Sequence, residues 1–438
     1  MLRRKALKRM ESWHNAPKRT ALLVDGARQV GKTYLVREFA QQHYEHLVEL
    51  NFIEDPDLVR VFERPRDAKG VLMRMELVAN APMVPGKTLI FLDEVQRCKE
   101  IATAIKFLVD DGRFDFVLSG SLLGVELEDI RSVPTGYLAE LHMYPLDFEE
   151  FCWSRNVGDD VFVMLRTCFS HSQPVDDFIH ERLLGLFSQY LVIGGMPAAV
   201  DSFAANGSVG DVRTIQEDIK REYRRDISQY AQKENRLHIR TIYDLVPGEL
   251  NNPNKRFTFS KVEKGVRFRA MASDFDWLAA ADVAIAAYNV DEPCKPLKAS
   301  MERNLFKLFY SDTGLLTGSF LKSTALGILD GDADVNYGSV YENVVAQELI
   351  AHGFDELYYY NSKKLGEIDF LVQDRDDNVI PLEVKSGKSY RRHRALDNLL
   401  ATEEYHLDRG YVLGPSNVET VGKVTYLPIY MAGLFANE

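Results

Sequence analysis

Cysteine is scarce in this chain. The four present, Cys98, Cys152, Cys168 and Cys294, form no Cys-x-x-Cys pair, which excludes zinc-site spacing and a disulfide framework and leaves reduced, buried thiols as the expectation. Long apolar runs are missing too. No stretch approaches the roughly 18 to 20 residues that span a bilayer, and the basic start MLRRKALKRM is followed by no apolar secretory core. A cytoplasmic protein with no membrane partner is expected. Positive charge is in deficit, with 53 Lys and Arg against 65 Asp and Glu and a net charge of -12. A uniformly basic surface that coats nucleic acid is thereby excluded, and any DNA contact has to be local. Internal repeats and low-complexity tracts are likewise absent, which excludes solenoids and arrays.

What is present is length and apolar content. At 438 residues with 46% hydrophobic side chains the chain exceeds one core and can pack two to four domains. Leu2, Ala6, Leu7, Met10 and Trp13 fall at helical spacing, so the basic start reads as an amphipathic helix with no assigned function. From Thr20 an apolar run of strand length leads through a glycine-bearing turn into a helical pattern that reaches Phe39. Two further buried-strand runs follow, Thr88 to Leu92, ending in Asp93 and Glu94, and Phe114 to Leu118, ending in Ser119-Gly120-Ser121. With helical stretches between them, residues 1-150 are expected to form a parallel, doubly wound sheet. Residues 151-234 read as a helical lid. Residues 235-300 give three helical patterns, then an apolar run around Val283, Ile285 and Ala287, the order of a winged helix. Residues 301-438 read as a second α/β domain, with a helix around Tyr341 to His352 and strands at Leu357 to Tyr360, Ile368 to Val372, Val379 to Val384 and Tyr411 to Leu413.

The densest chemistry lies at Gly26-Ala27-Arg28-Gln29-Val30-Gly31-Lys32-Thr33, which fits GxxxxGK[ST] at every fixed position and sits between a strand and a helix. Glycines let successive N–H groups turn onto a phosphate, and the helix N-terminus adds its dipole. Lys32 is placed to reach the β- and γ-phosphates, Thr33 to ligate magnesium, and Tyr34 follows on the first turn. Asp93 is expected to hold magnesium through water, and Glu94 to polarise the attacking water. Ser119 or Ser121 would stand beside the γ-phosphate. ATP with Mg2+ is the expected ligand pair, no NKxD-type guanine reader being evident.

GARQVGKT, FLDEVQ, LSGS and MYPLDFEEF resemble the AAA+ ATPase core of a bacterial and archaeal family whose members carry a C-terminal nuclease-like domain. GGMPAAV (Gly194 to Val200), the RRDI at Arg224 to Ile227 and KLFYSDTGLL (Lys307 to Leu316) resemble that family too, so the likeness covers nearly the whole chain. That family usually has Gly-Arg shortly before the YPL motif, an arginine suited to completing a neighbour's site in trans if copies assemble as a homo-oligomer. Here Gly136 is followed by Tyr137 instead, and Arg131 or Arg225 would have to substitute.

In Leu365 to Leu371 an aspartate opens one strand, and Glu383-Val384-Lys385 lies on the next. Period two puts Glu383 and Lys385 on one face. Glu342, on the preceding helix, supplies a further carboxylate. This resembles the PD-(D/E)xK superfamily, with its restriction-endonuclease-like α/β fold. The resemblance implies that Glu342, Asp369 and Glu383 bind magnesium and that Lys385 positions or activates water. Lys388, Arg391, Arg392, His393 and Arg394 form an adjacent basic cluster suited to phosphodiester backbone. Two readings compete: an ATP-dependent enzyme that acts on DNA and cuts or grips it, and an ATP-driven switch whose C-terminal domain binds without cleaving.

Overall fold

The computed structural model describes residues 2–64, 67–121, 136–331, 337–387 and 389–435. Arg131 and Lys388, singled out above, lie outside the described residues. The chain forms two compact units: Arg3–Tyr144 with Ala280–Asp282, and Pro145–Ala279 with Val283–Glu438.

The first unit opens with α1 (Ala6–His14), followed by β1 (Ala21–Asp25), α2 (Lys32–His43) and β2 (His46–Asn51). Next come α3 (Val59–Phe62), α4 (Ala68–Val78), β3 (Thr88–Asp93), α5 (Ile101–Asp111), β4 (Asp115–Ser119) and β5 (Leu138–His142). The five strands are all parallel, in the order β2-β3-β4-β1-β5. Central β3 is apolar on both faces and wholly buried, as a strand covered on both sides must be. Both edge strands, β2 and β5, read HLVELN and LAELH. Their mixed polarity hides them from a search for continuous apolar runs. Helix α5 buries Ile101, Ala104, Ile105 and Leu108, the i, i+3, i+4, i+7 stripe, and stops at Gly112 in the left-handed region.

The second unit begins with helices α6 (Phe148–Ser154), α7 (Asp159–His171), α8 (Asp177–Ile193), α9 (Pro197–Asn206), α10 (Val209–Tyr230), α11 (Arg236–Leu250) and α12 (Ala272–Ala280). It continues through β6 (Ala284–Val290), β7 (Met301–Tyr310), α13 (Thr313–Thr317), α14 (Lys322–Asp330) and α15 (Gly338–Ala351). Then follow β8 (Leu357–Ser362), β9 (Gly366–Gln373), β10 (Val379–Val384), α16 (Arg394–Leu400), β11 (Gly410–Gly414), β12 (Glu419–Val421) and β13 (Val424–Pro428). One mixed sheet runs β12-β13-β11-β10-β9-β8-β6-β7.

Of the three helical patterns expected in 235–300, two are α11 and α12, and the segment between them holds only the short 3-10 turns Phe259–Lys261 and Phe268–Ala270. The boundary expected at residue 300 falls inside the antiparallel β6–β7 pair, and β6 also pairs in parallel with β8. Five of the seven β6 residues are buried, and that apolar strand is satisfied by neighbours on both sides. The 235–300 segment is therefore continuous with the C-terminal sheet.

GGMP and SDTG meet as a structural knot. Asp312 accepts N–H bonds from Gly195 (2.6 Å) and Leu315 (2.9 Å), and a Cβ on Gly194, at φ 76, would come 2.7 Å from Gly314 Cα. No helix among the described residues is long and apolar enough to cross a membrane.

Candidate functional site

The phosphate loop connects β1 to α2. Gly26 stands at φ 127, and any Cβ there would collide with the Met143 carbonyl, so only glycine fits. Gln29 (φ 68) and Gly31 (φ 94) also take left-handed turns, and Gly31 caps α2 without a side-chain partner. That geometry leaves the first N–H groups of α2 available to an anion. Behind the loop Arg4, nearly buried, donates to the carbonyls of Val30 (2.8 Å) and Tyr144 (2.7 Å). The N-terminal segment thus contributes through Arg4, two residues ahead of α1, which the sequence had left without a role.

Lys32 is 8% exposed, and its ammonium donates to Gly26 O (2.8 Å) and Ala27 O (2.7 Å). Burial pushes its pKa down to about 8, against the opposing pull of Glu94, Asp282, Asp25 and Asp93. Thr33 Oγ1 donates to Asp93 Oδ2 (3.1 Å), Ser119 Oγ donates to Asp93 Oδ1, and Asn51 Nδ2 donates to Asp93 Oδ2 (3.2 Å). Asp93 is 2% exposed, and its carboxyl is raised above the usual range by burial, which outweighs the lowering by Ser119 and Thr33. Since β4 lies between β3 and β1, Ser119 at its end reaches the carboxylate directly.

Glu94 follows at φ 60, a left-handed conformation rare for a non-glycine residue and common at functional turns. Its Oε2 accepts from Gln96 Nε2 (2.6 Å) and Ser121 Oγ (3.1 Å), and Arg28 Nε donates to Ser121 Oγ (3.4 Å). Tyr34 stands 45% exposed on the first turn of α2. The structure thus brings together Lys32, Thr33, Asp93, Glu94 and Ser119, a set suited to phosphate and a hard cation. Sequence reasoning missed Asn51 and Gln96, although Asn51 ends an alternating run that could have been read as a strand. It also missed His142, whose Nδ1 lies 2.9 Å from Asp25 and Nε2 3.4 Å from Asp282. Burial would lower that imidazole, but the two carboxylates prevail and hold its pKa up at about 10. Tyr137, at the position expected to carry arginine, instead lies under the Lys106 ammonium (5.5 Å) and donates to Asp110 (3.4 Å).

In the second unit Glu342, Asp369, Glu383 and Lys385 also converge, but around another residue. Lys307, fully buried on β7, places its ammonium 2.7 Å from Glu367, 3.2 Å from Glu342 and 3.8 Å from Asp369. Lys255 pairs with Glu342, Lys385 lies 2.6 Å from Glu383, and Asp369 Oδ2 accepts the Val384 N–H (2.7 Å). Burial raises the Asp369 carboxyl well above the ordinary range, helped by the charges of Glu342 and Glu383. Glu342 is held below that range because Lys307 and Lys255 outweigh its burial. No group of three or more His, Cys, Asp or Glu side chains among the described residues is arranged to hold a metal ion. The expected metal set is gathered about a lysine, which sequence reasoning passed over; a lysine inside the apolar run LFKLFY was the available signal. Of the adjacent basic cluster, Arg391 pairs with Glu419 and lies over Tyr426 (5.3 Å), and His393 is buried against Tyr426 (2.7 Å).

Comparison with known proteins follows this division. Residues 18–152 match the family described as AAA domain, whereas 184–325 and 337–431 match two domains of unknown function, DUF8612 and DUF4143. Over 389 residues the chain is 24% identical to an uncharacterized protein of Haemophilus influenzae, covering 86% of this chain and 85% of that one. Among solved structures it is similar to the Walker-type ATPase of Pyrococcus abyssi, at 15% identity and a TM-score of 0.45, covering 73% of this chain and 95% of that one. The Orc1 protein of Aeropyrum pernix in complex with DNA is similar at 13% identity and a TM-score of 0.29, covering 76% and 93%. The matched AAA domain spans the phosphate loop, the acidic strand end and the serine between them, and residues 18–152 accordingly give the chain an ATPase domain of the P-loop, AAA type.

Proposed function

We propose that the chain hydrolyses ATP with magnesium and that this cycle acts on or with DNA. The observation that carries the first part is the network joining Thr33, Asp93 and Ser119, which holds phosphate-side and water-side groups together at the ends of β3 and β4 beside the start of α2. The N–H groups of Gly26 to Thr33 and the α2 N-terminus hold the phosphates, and Lys32 leaves its two loop carbonyls for the β- and γ-oxygens. Thr33 and Asp93 would hold magnesium, which would supply positive charge against that developing on those oxygens. Glu94, oriented by Gln96 and Ser121, takes the proton of the attacking water, and Ser119 reports the γ-phosphate. Assembly of copies would allow Arg225, exposed on α10, to complete a neighbour's site.

Isothermal titration should show Glu94→Gln binding ATP as the wild type does while its turnover falls on the order of 100-fold or more. Wild-type turnover in that variant would remove Glu94 from its role. The DNA part rests on Arg391, Arg392 and Arg394, which stand exposed near the C-terminal sheet. Fluorescence anisotropy of duplex DNA should show salt-sensitive binding that Arg392→Ala with Arg394→Ala weakens at every sequence tested. Absence of binding at low salt, with and without ATP, would leave the switch reading. Magnesium-dependent cutting, the remaining alternative, draws its support from the layout of Asp369, Glu383 and Lys385.

A further inference from the structure

Lys307 bears on that alternative. Residues 305–310 read LFKLFY, and all but Leu305 are buried, so the lysine cannot carry its charge out to water. Its ammonium lies 5.0 Å from the centre of the Tyr359 ring and within ion-pair reach of Glu342, Glu367 and Asp369. A magnesium ion at the carboxylates would need about six oxygen ligands in near-octahedral array. Most of the oxygens here are already engaged. Glu342 Oε1 faces Lys255 and Oε2 faces Lys307, Asp369 Oδ2 holds the Val384 N–H, Glu383 Oε1 holds Lys385, and Asn361 donates to Glu367 Oε2. Glu383 Oε2 is buried without a partner and would be a single ligand. A dication placed among these groups would also sit against a fixed ammonium in a poorly solvated interior, where like charges repel strongly. The residues therefore do not fit a resident metal.

We propose that the Lys307 ammonium is a built-in cation standing where a divalent metal would, so that this carboxylate cluster is an ion-paired core and does not cleave nucleic acid. Four carboxylates, Glu342, Glu367, Asp369 and Glu383, are shared among three lysines, Lys255, Lys307 and Lys385. Removing the central positive charge leaves the carboxylates mutually repelling and short of a counterion. That is the condition under which a metal binds.

The test uses the full chain carrying Lys32→Ala, which removes nucleotide-linked metal, so the outcome is independent of the ATPase reading. Mn2+ is titrated and followed by electron paramagnetic resonance. The background protein should show no Mn2+ site that Asp369→Asn abolishes. Lys307→Met should create one, at least tenfold tighter than any background binding, and adding Asp369→Asn should remove it. A background site lost on Asp369→Asn would overturn the proposal, as would a Lys307→Met protein that keeps its circular dichroism and gains no site. If Lys307→Met fails to fold, the background and Asp369→Asn pair still decides. Magnesium-dependent DNA cutting by the otherwise wild-type chain, abolished by Lys385→Ala, would equally overturn it.

Discussion

Lys32 and Lys307 are both buried lysines among acids, yet they are in opposite states. Lys32 bonds two neutral carbonyls, and burial brings its pKa down to about 8, so its charge is under-compensated and available to a phosphate. Burial also opposes the charge on Lys307, but Glu342, Asp369 and Glu367 overcome it and hold the pKa above the ordinary lysine range. One lysine is bonded to two neutral carbonyls and the other is ringed by three carboxylates. An acid-and-lysine pattern in sequence therefore does not distinguish an open site from a closed one, and the local balance of charge does.

The comparison can be broken most severely at Lys32. Lys32→Ala should weaken ATP binding by at least about 100-fold in calorimetry, because a direct charge-to-phosphate contact is lost. Next in size, Lys307→Met should destabilise the chain by about 3–5 kcal/mol in urea titration, since it leaves buried carboxylates without their cation. Adding Glu342→Gln should reduce that loss. Asp312 is a third case, a buried carboxylate whose pKa is pushed up to about 6 by burial against three backbone N–H bonds. Raised above its unfolded value, it favours the protonated fold. The wild type should therefore lose about 2–3 kcal/mol relative to Asp312→Asn as pH rises from about 4 to about 6, read by thermal melts of both proteins. Smallest is a proton count: ATP binding at about pH 8.5 should take up a fraction of a proton as the phosphates restore the Lys32 charge. Calorimetry in buffers of differing ionisation enthalpy reads it.

How much was legible in the sequence follows from contact range. The phosphate loop was readable because all its fixed positions lie within eight consecutive residues, and Asp93 because it ends the apolar run Leu89 to Leu92. Strands β8 to β11 were found by their apolar or alternating runs. The polar start of β7, MERN, hid that strand. Asn51, Gln96 and His142 act through partners on other elements, a relation no local pattern encodes. Ser119 was expected beside the γ-phosphate and is bonded to Asp93, a pairing set by β4 lying between β3 and β1. Lys307 escaped notice because its three partners come from α15 and β9, over thirty residues downstream.

The central claim, that turnover belongs to the open lysine and not the closed cluster, is tested most directly by magnesium-dependent ATP hydrolysis in the wild type, Lys32→Ala and Lys385→Ala. The account predicts that Lys32→Ala loses turnover and Lys385→Ala keeps it. Hydrolysis persisting in Lys32→Ala would contradict it.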